Sequence, residues 1–151
     1  MPLMDAEDIA EFIALKCGNA SKIVEIGVGF QFDVAIALKK RLPNTSIVVV
    51  DVNPDAVEEA KKLGLTAYVD NILTPNMEIY EGASLLYSIR PPPELISHIC
   101  ETAKKLECPL IIRLLSGESI SLHQQSGWRT IVYGKARLHV FNGQARAFKD
   151  G

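Results

Sequence analysis

The stretch KIVEIGVGFQFDVA, Lys22 to Ala35, decides the fold. Lys22–Ile26 reads as a short apolar strand. Gly27 and Gly29 then make a turn, and Val34, Ala35, Leu38 and Leu42 mark a helix from about Phe30 to Leu42. A strand that turns straight into a helix brings backbone close to any ligand, and glycine permits both the angles and the approach. The helix points free N–H groups and a partial positive charge at the same crevice. Nucleotide-binding turns of this kind usually carry a third glycine. Here Gln31 and Phe32 stand in its place.

Downstream, the same alternation repeats. SIVVVDV is a continuous β-branched run, as expected of a strand buried on both faces of a parallel sheet. Asn53 and Pro54 supply an N-cap and a first helical residue. That helix turns Val57, Ala60 and Leu63 inward and stops at Gly64. LTAYV is a third strand with Asp70 at its end, followed by a loop containing Thr74-Pro75. ASLLYSI is a fourth strand and RPPPE a stiff turn. The next helix buries Leu95, Ile96, Ile99, Cys100, Ala103 and Leu106, and LIIRLL is a fifth strand. Upstream, Ile9, Phe12, Ile13 and Cys17 share one face of a first helix, with Asp5, Glu7, Asp8 and Glu11 largely off it. WRTIVY and RLHVF flank a GKA turn and form an antiparallel hairpin that closes one edge of the sheet. The sum is one α/β domain over residues 1–151: a doubly wound, Rossmann-like three-layer sandwich with a mostly parallel sheet and an antiparallel C-terminal hairpin.

Bulk properties narrow the function. The 151 residues are 48% hydrophobic and 23% charged, which suits one packed core and argues against disorder. The net charge of −2 gives no global basic field for nucleic acid. Lys39-Lys40-Arg41, Lys61-Lys62 and Lys104-Lys105 fall near helix C-termini, where they complement the helix dipole. Cys17, Cys100 and Cys108 have neither zinc-knuckle nor redox spacing, and two of them lie among apolar neighbours as core thiols. No stretch is apolar enough to span a membrane, and the acidic N-terminus is unlike a signal peptide, so a cytoplasmic protein is expected. His98, His123 and His139 have no common metal spacing. An exposed hairpin edge makes a homodimer the expected assembly, should the chain self-associate.

Chemistry concentrates at the ends of the first three strands. Gly27 and Gly29 allow close backbone approach. Asp51 ends the second strand, where one carboxylate can accept from both hydroxyls of a ribose; the plainer alternative is a cap on the turn before Asn53-Pro54. Asp70 ends the third strand in the same fashion. Glu25 is an acid inside an apolar strand, which is costly unless paired. It either ends in solvent or a lysine bridge, or it organises the turn and meets a cationic ligand group. In open α/β sheets ligands bind at such carboxyl ends, where strand order reverses.

These residues resemble the cofactor turn of the class I, Rossmann-like methyltransferases that use S-adenosylmethionine. Their first motif runs acid-x-G-x-G, which falls on Glu25, Gly27 and Gly29 in VEIGVGFQF. The resemblance implies that Asp51 holds the cofactor ribose, that Asp70 contacts the adenine amine, and that the sheet ends in a hairpin. More closely, the glycine turn followed by FDVA, the LLYSIRPPPEL segment and the closing hairpin resemble an uncharacterised archaeal family of short methyltransferase-like domains. Two features depart from the methyltransferase pattern. Gln31 replaces the third glycine, and Arg90 precedes the prolines where many amine methyltransferases carry Asp or Asn.

Methyl transfer asks mainly for alignment, so the lack of an obvious base does not exclude it, and no catalytic residue is assigned. The acceptor is unspecified. Ser116–Ser121 either line an acceptor pocket or form a surface loop. Arg90 either binds an anionic group or solvates its loop. Two alternatives stand beside S-adenosylmethionine. One is a non-catalytic nucleotide- or partner-binding module. The other is a nicotinamide-dinucleotide domain, whose fingerprint wants a small residue where Phe32 stands.

Overall fold

The computed structural model describes residues 3–115 and 127–142. Within these residues seven strands form one sheet: β1 (Lys22–Ile26), β2 (Ser46–Asp51), β3 (Thr66–Val69), β4 (Leu85–Ile89), β5 (Leu110–Arg113), β6 (Trp128–Tyr133) and β7 (Ala136–Phe141). Their order is β3-β2-β1-β4-β5-β7-β6. The first five are parallel, and β7 runs antiparallel to both β5 and β6. The expected sandwich and its closing hairpin are therefore both present, with β7 inserted between β5 and the edge strand.

Among the described residues five α-helices cover the sheet: α1 (Ala6–Lys16), α2 (Asp33–Arg41), α3 (Pro54–Lys62), α4 (Met77–Tyr80) and α5 (Ile96–Leu106). One core joins α1, α2 and α3 to the sheet through Ile9, Leu38, Val57 and the facing Ile23, Val49 and Leu85. The other joins α4 and α5 to the opposite face through Tyr80, Ile99 and Cys100 against Val24, Leu86 and Ile112. Alternate strand residues feed the two cores, the period expected of a sheet covered on both faces. Each such aliphatic side chain taken fully from water contributes about 1.5–3 kcal/mol.

Local signals act as read. The Asn53 side chain accepts from the Asp55 N–H, Pro54 opens α3, and Gly64 follows its end with φ 85°. Basic residues occupy the last turns of α2, α3 and α5.

Four expectations change. Helix α2 begins at Asp33 rather than near Phe30: Val28 to Gln31 close a turn, the Gln31 side chain accepts from the Asp33 N–H, and Phe32 drops into the core. Leu63, expected inward, caps α3 and is exposed. The loop after β3 contains α4, capped by the Asn76 side chain and anchored by the fully buried Tyr80. Asp5, expected off the buried face of the first helix, is 3% exposed and bound to Arg113. Pro93 starts a 3-10 turn, Pro93–Leu95, that leads into α5.

Cys100 and Cys108 are buried, and burial pushes their thiols up to about 11 and about 12. They are core groups rather than nucleophiles. His139 is buried with Nδ1 3.1 Å from the Thr130 hydroxyl. Ser116–Ser121 and His123 lie outside the described residues. Among the described residues no group of His, Cys, Asp and Glu could hold a metal ion, and no helix is long and apolar enough to cross a membrane.

Candidate functional site

Strand order reverses between β1 and β4, so the crevice of the sheet opens at the carboxyl ends of the central strands. The tips of β1, β2 and β3 are tied together there. Gly27 and Val28 each donate a backbone N–H to the Val50 carbonyl, at 2.9 and 3.1 Å. The Gly29 N–H donates to Asp51 Oδ1 at 2.9 Å. Asp70 donates its N–H to the Asp51 carbonyl at 3.1 Å. Gly27, Gly29, Asp51 and Asp70 thus form one connected rim.

Both glycines need their identity. Their φ angles are 72° and 57°, in the left-handed region that strains L-residues. A Cβ built on either would meet no atom within 4 Å, so open space lies beside the turn. Neither Gln31 nor Phe32 fills it. Gln31 folds back on Asp33, and Phe32 is 7% exposed within the core beside α2.

Asp51 is half-buried and fully engaged by backbone. Oδ1 takes the Gly29 N–H and Oδ2 the Asn53 N–H, both at 2.9 Å. It therefore caps its own turn and also clamps the glycine turn of the neighbouring strand. Each carboxylate oxygen retains a second lone pair for a ligand hydroxyl. Asp70 is held in the same manner. Asn76 donates its N–H to Oδ1 at 2.9 Å, and the Tyr80 hydroxyl donates to Oδ2 at 2.6 Å. Burial and the facing carboxylate push the Tyr80 phenol well above its ordinary range, so it stays a donor. Helix α4, too short to show a period, carries that donor and also buries the Tyr80 ring in the core.

Glu25 is neither at an exposed strand end nor bridged to a lysine. It is 1% exposed, and its Oε1 accepts from the Tyr87 hydroxyl at 2.7 Å across the β1–β4 pair. Its Oε2 is buried with no donor among the described residues. Desolvation by burial is the main cause that pushes its carboxyl up to about 8. The Tyr87 bond opposes this, and the charge of Asp51 adds to it. A near-neutral carboxyl with one unsatisfied oxygen sits two residues before the turn.

Large apolar side chains stand exposed on the loops around this rim: Phe30 after β1, Val52 after β2, and Leu73 after β3. The sequence flagged the polar groups but not these. Their signal is placement, since an apolar residue just beyond a strand tip is not drawn into either core. A separate hollow of about 300 Å³ runs beside α4 from Lys22, Ser46 and Thr66, the first residues of β1, β2 and β3, to Val48, Tyr68 and Ile79.

Comparison with other proteins adds two findings. The profile of the uncharacterised protein family UPF0146 matches residues 6–142. A UPF0146 protein of Methanocaldococcus jannaschii is 44% identical over 117 residues, 76% of this chain and 83% of its own. One of Pyrococcus abyssi is 37% identical over 126 residues, 83% and 91% of the two chains. Among solved structures, a Methanococcus maripaludis protein provisionally classed as an S-adenosyl-L-methionine-dependent methyltransferase superposes with TM-score 0.66 at 14% identity, over 93% of this chain and 86% of the other. A mutant of MtNAS in complex with S-adenosylmethionine gives TM-score 0.59 at 20% identity, covering 88% of this chain and 59% of that one. The plantazolicin methyltransferase BpumL, in complex with SAH, gives 0.55 at 20% identity, over 74% of this chain and 46% of that one. At such identities the shared property is the fold. This chain spans about half to three fifths of the last two proteins' lengths.

Proposed function

The chain belongs to the uncharacterised protein family UPF0146, and we propose that it binds S-adenosylmethionine at the rim of β1, β2 and β3. The residues present fit that ligand on four counts. The space beside Gly27 and Gly29 is open for close backbone approach. Asp51 holds two oxygens with lone pairs to spare for the ribose hydroxyls. Glu25 offers a buried, unsatisfied oxygen that a cationic amine would complete. Asp70, fixed by Tyr80 and Asn76, takes the adenine amine, and the exposed Val52 and Leu73 supply apolar surface for a purine face.

The observation that carries this reading is Glu25 Oε2, buried two residues before an open glycine turn and left without a donor among the described residues. The nicotinamide of NAD carries its charge on a pyridinium nitrogen with no N–H to donate, and the dinucleotide has no ammonium. S-adenosylmethionine carries an ammonium. When bound, the cofactor would supply a sulfonium methyl to a nucleophilic acceptor. The chain's own part is then to bind, orient and exclude water. Phe32 disfavours the nicotinamide alternative, because it packs where that fingerprint needs a small residue.

The test is a thermal-shift comparison on the full chain with S-adenosylmethionine, S-adenosylhomocysteine and NAD. A ligand at about 100 times its Kd stabilises by about 2.7 kcal/mol, which raises Tm by several degrees in a domain of this size. A rise with the first two and none with NAD is expected. No rise with either sulfur ligand overturns the proposal.

A further inference from the structure

Arg90, near the crevice, has no side-chain partner among the described residues. Arg90 follows β4, on the far side of the reversal from the glycine turn. Its φ is 52°, the left-handed region, in a residue with a full side chain and with Pro91 next. Such backbone costs about 1–2 kcal/mol for an L-residue, and a following proline restricts it further. Strain of this kind persists only where surrounding structure enforces it. Here the Arg90 N–H donates to the Arg113 carbonyl at 2.6 Å, and Pro91, Pro92 and Pro93 lead into the 3-10 turn. The main chain at Arg90 is therefore fixed.

The side chain is not. Arg90 is half-buried, and its guanidinium has no hydrogen bond or ion pair among the described residues. The neighbouring strand shows the contrast. Arg113, at the end of β5, is bound twice by Asp5, at 2.9 and 3.2 Å, and is thereby unavailable. Glu25 on the adjoining β1 is 1% exposed, its Oε1 is held by Tyr87, and it forms no ion pair with Arg90 among the described residues. A fixed backbone presenting an unpaired, partly desolvated guanidinium is a receptor for an oxyanion.

We propose that Arg90 recognises the carboxylate or phosphate of a small acidic second ligand that binds beside the cofactor rim. This rests on the rim being the cofactor site. The ligand is small because the chain, with net charge −2, offers no broad basic field to a polyanion. The planar fork of arginine suits either oxyanion, so the two sources share one chemistry.

The full-length chain is titrated calorimetrically with inorganic phosphate and, separately, with acetate, each with and without saturating S-adenosylhomocysteine. Arg90→Gln, Arg90→Lys and Arg90→Gly are compared with wild type, and Arg41→Gln serves as a control because Arg41 lies in an exposed pair with Glu7. Wild type and the control bind at least one anion saturably. Arg90→Gln and Arg90→Gly lose about tenfold or more, as removal of a charge-assisted pair predicts, and Arg90→Lys falls between. Arg90→Gly also relieves the left-handed strain, so a loss of binding that it shares with Arg90→Gln, with an unchanged urea midpoint, is a loss of the guanidinium. Saturation by phosphate alone or acetate alone identifies the source. No saturable binding by wild type, or less than fivefold loss in both Arg90→Gln and Arg90→Gly, overturns the inference. S-adenosylhomocysteine affinity, read on the same samples, judges the cofactor reading separately and is expected to be equal in wild type and Arg90→Gln.

Discussion

The Gly29 N–H donates to Asp51 Oδ1 at 2.9 Å across 22 positions of sequence, so the acid after β2 holds the turn after β1. The same carboxylate takes the Asn53 N–H. One side chain therefore shapes the glycine turn, caps the loop into α3 and, in the proposed function, receives the ribose. Structural and ligand roles coincide in it, and its variants should show both.

Asp51→Ala is expected to lower S-adenosylhomocysteine affinity at least tenfold and to cost about 1–2 kcal/mol of stability, because two backbone donors lose their acceptor. Asp51→Asn keeps one acceptor oxygen and should recover most of the stability but little of the affinity. Calorimetric titration and urea unfolding on both variants separate the effects. Equal affinity in wild type and Asp51→Ala removes Asp51 from the site.

Tyr80→Phe tests the support of Asp70. The ring stays in its fully buried place while the 2.6 Å bond to Oδ2 is lost. A bond to a carboxylate is worth about 1.5–3 kcal/mol. Asn76 still holds the other oxygen, so the net destabilisation should fall near the lower end. S-adenosylhomocysteine binding should weaken by a smaller factor than in Asp70→Ala. If Tyr80→Phe weakens it more, Asp70 is not the group that meets the ligand.

What the sequence revealed and what it hid divide along physical lines. The β-branched run of β2 and the glycine turn announce themselves within a few residues, because periodicity and backbone freedom are local. Asp51 and Asp70 were legible because strand ends gather at one edge of an α/β sheet. The partner of Glu25 was not, since Tyr87 lies 62 positions away and only the β1–β4 register opposes them. Yet a carboxylate inside an apolar strand demanded some donor, and a tyrosine inside another apolar strand was the available signal. Helix α4 has four residues, too few for a period. Helix α2 starts late because a glutamine side chain and a core-seeking phenylalanine compete with its first turn.

The Asp5–Arg113 pair joins the start of α1 to the end of β5 across 108 positions, and Asp5 is almost wholly buried. Removing one partner strands the other charge. Asp5→Ala is expected to cost about 3–5 kcal/mol, the usual range for breaking a buried ion pair. Asp5→Ala combined with Arg113→Met should cost clearly less than the sum of the single changes. Denaturant unfolding of the three variants provides the cycle, and simple additivity would mean the pair contributes nothing specific.

Glu25 links stability and binding to pH. Its carboxyl is raised from 4.5 to about 8 in the folded chain. The folded state therefore holds a proton that the unfolded state releases. Stability attached to this group is fully present below about pH 4.5 and is lost as pH rises through about 8. Each tenfold difference in proton affinity is about 1.4 kcal/mol, so the loss across that window amounts to a few kcal/mol. Glu25→Gln should flatten this fall whatever its absolute stability, as unfolding curves between about pH 5 and pH 8.5 would show. A cationic amine beside Oε2 favours the ionised carboxyl. S-adenosylhomocysteine should then expel a proton on binding near neutral pH, and its affinity should climb as pH approaches 8. Calorimetry in buffers of different ionisation enthalpy reads that proton directly. Binding without proton release in wild type, or with the same release in Glu25→Gln, would place the ammonium elsewhere.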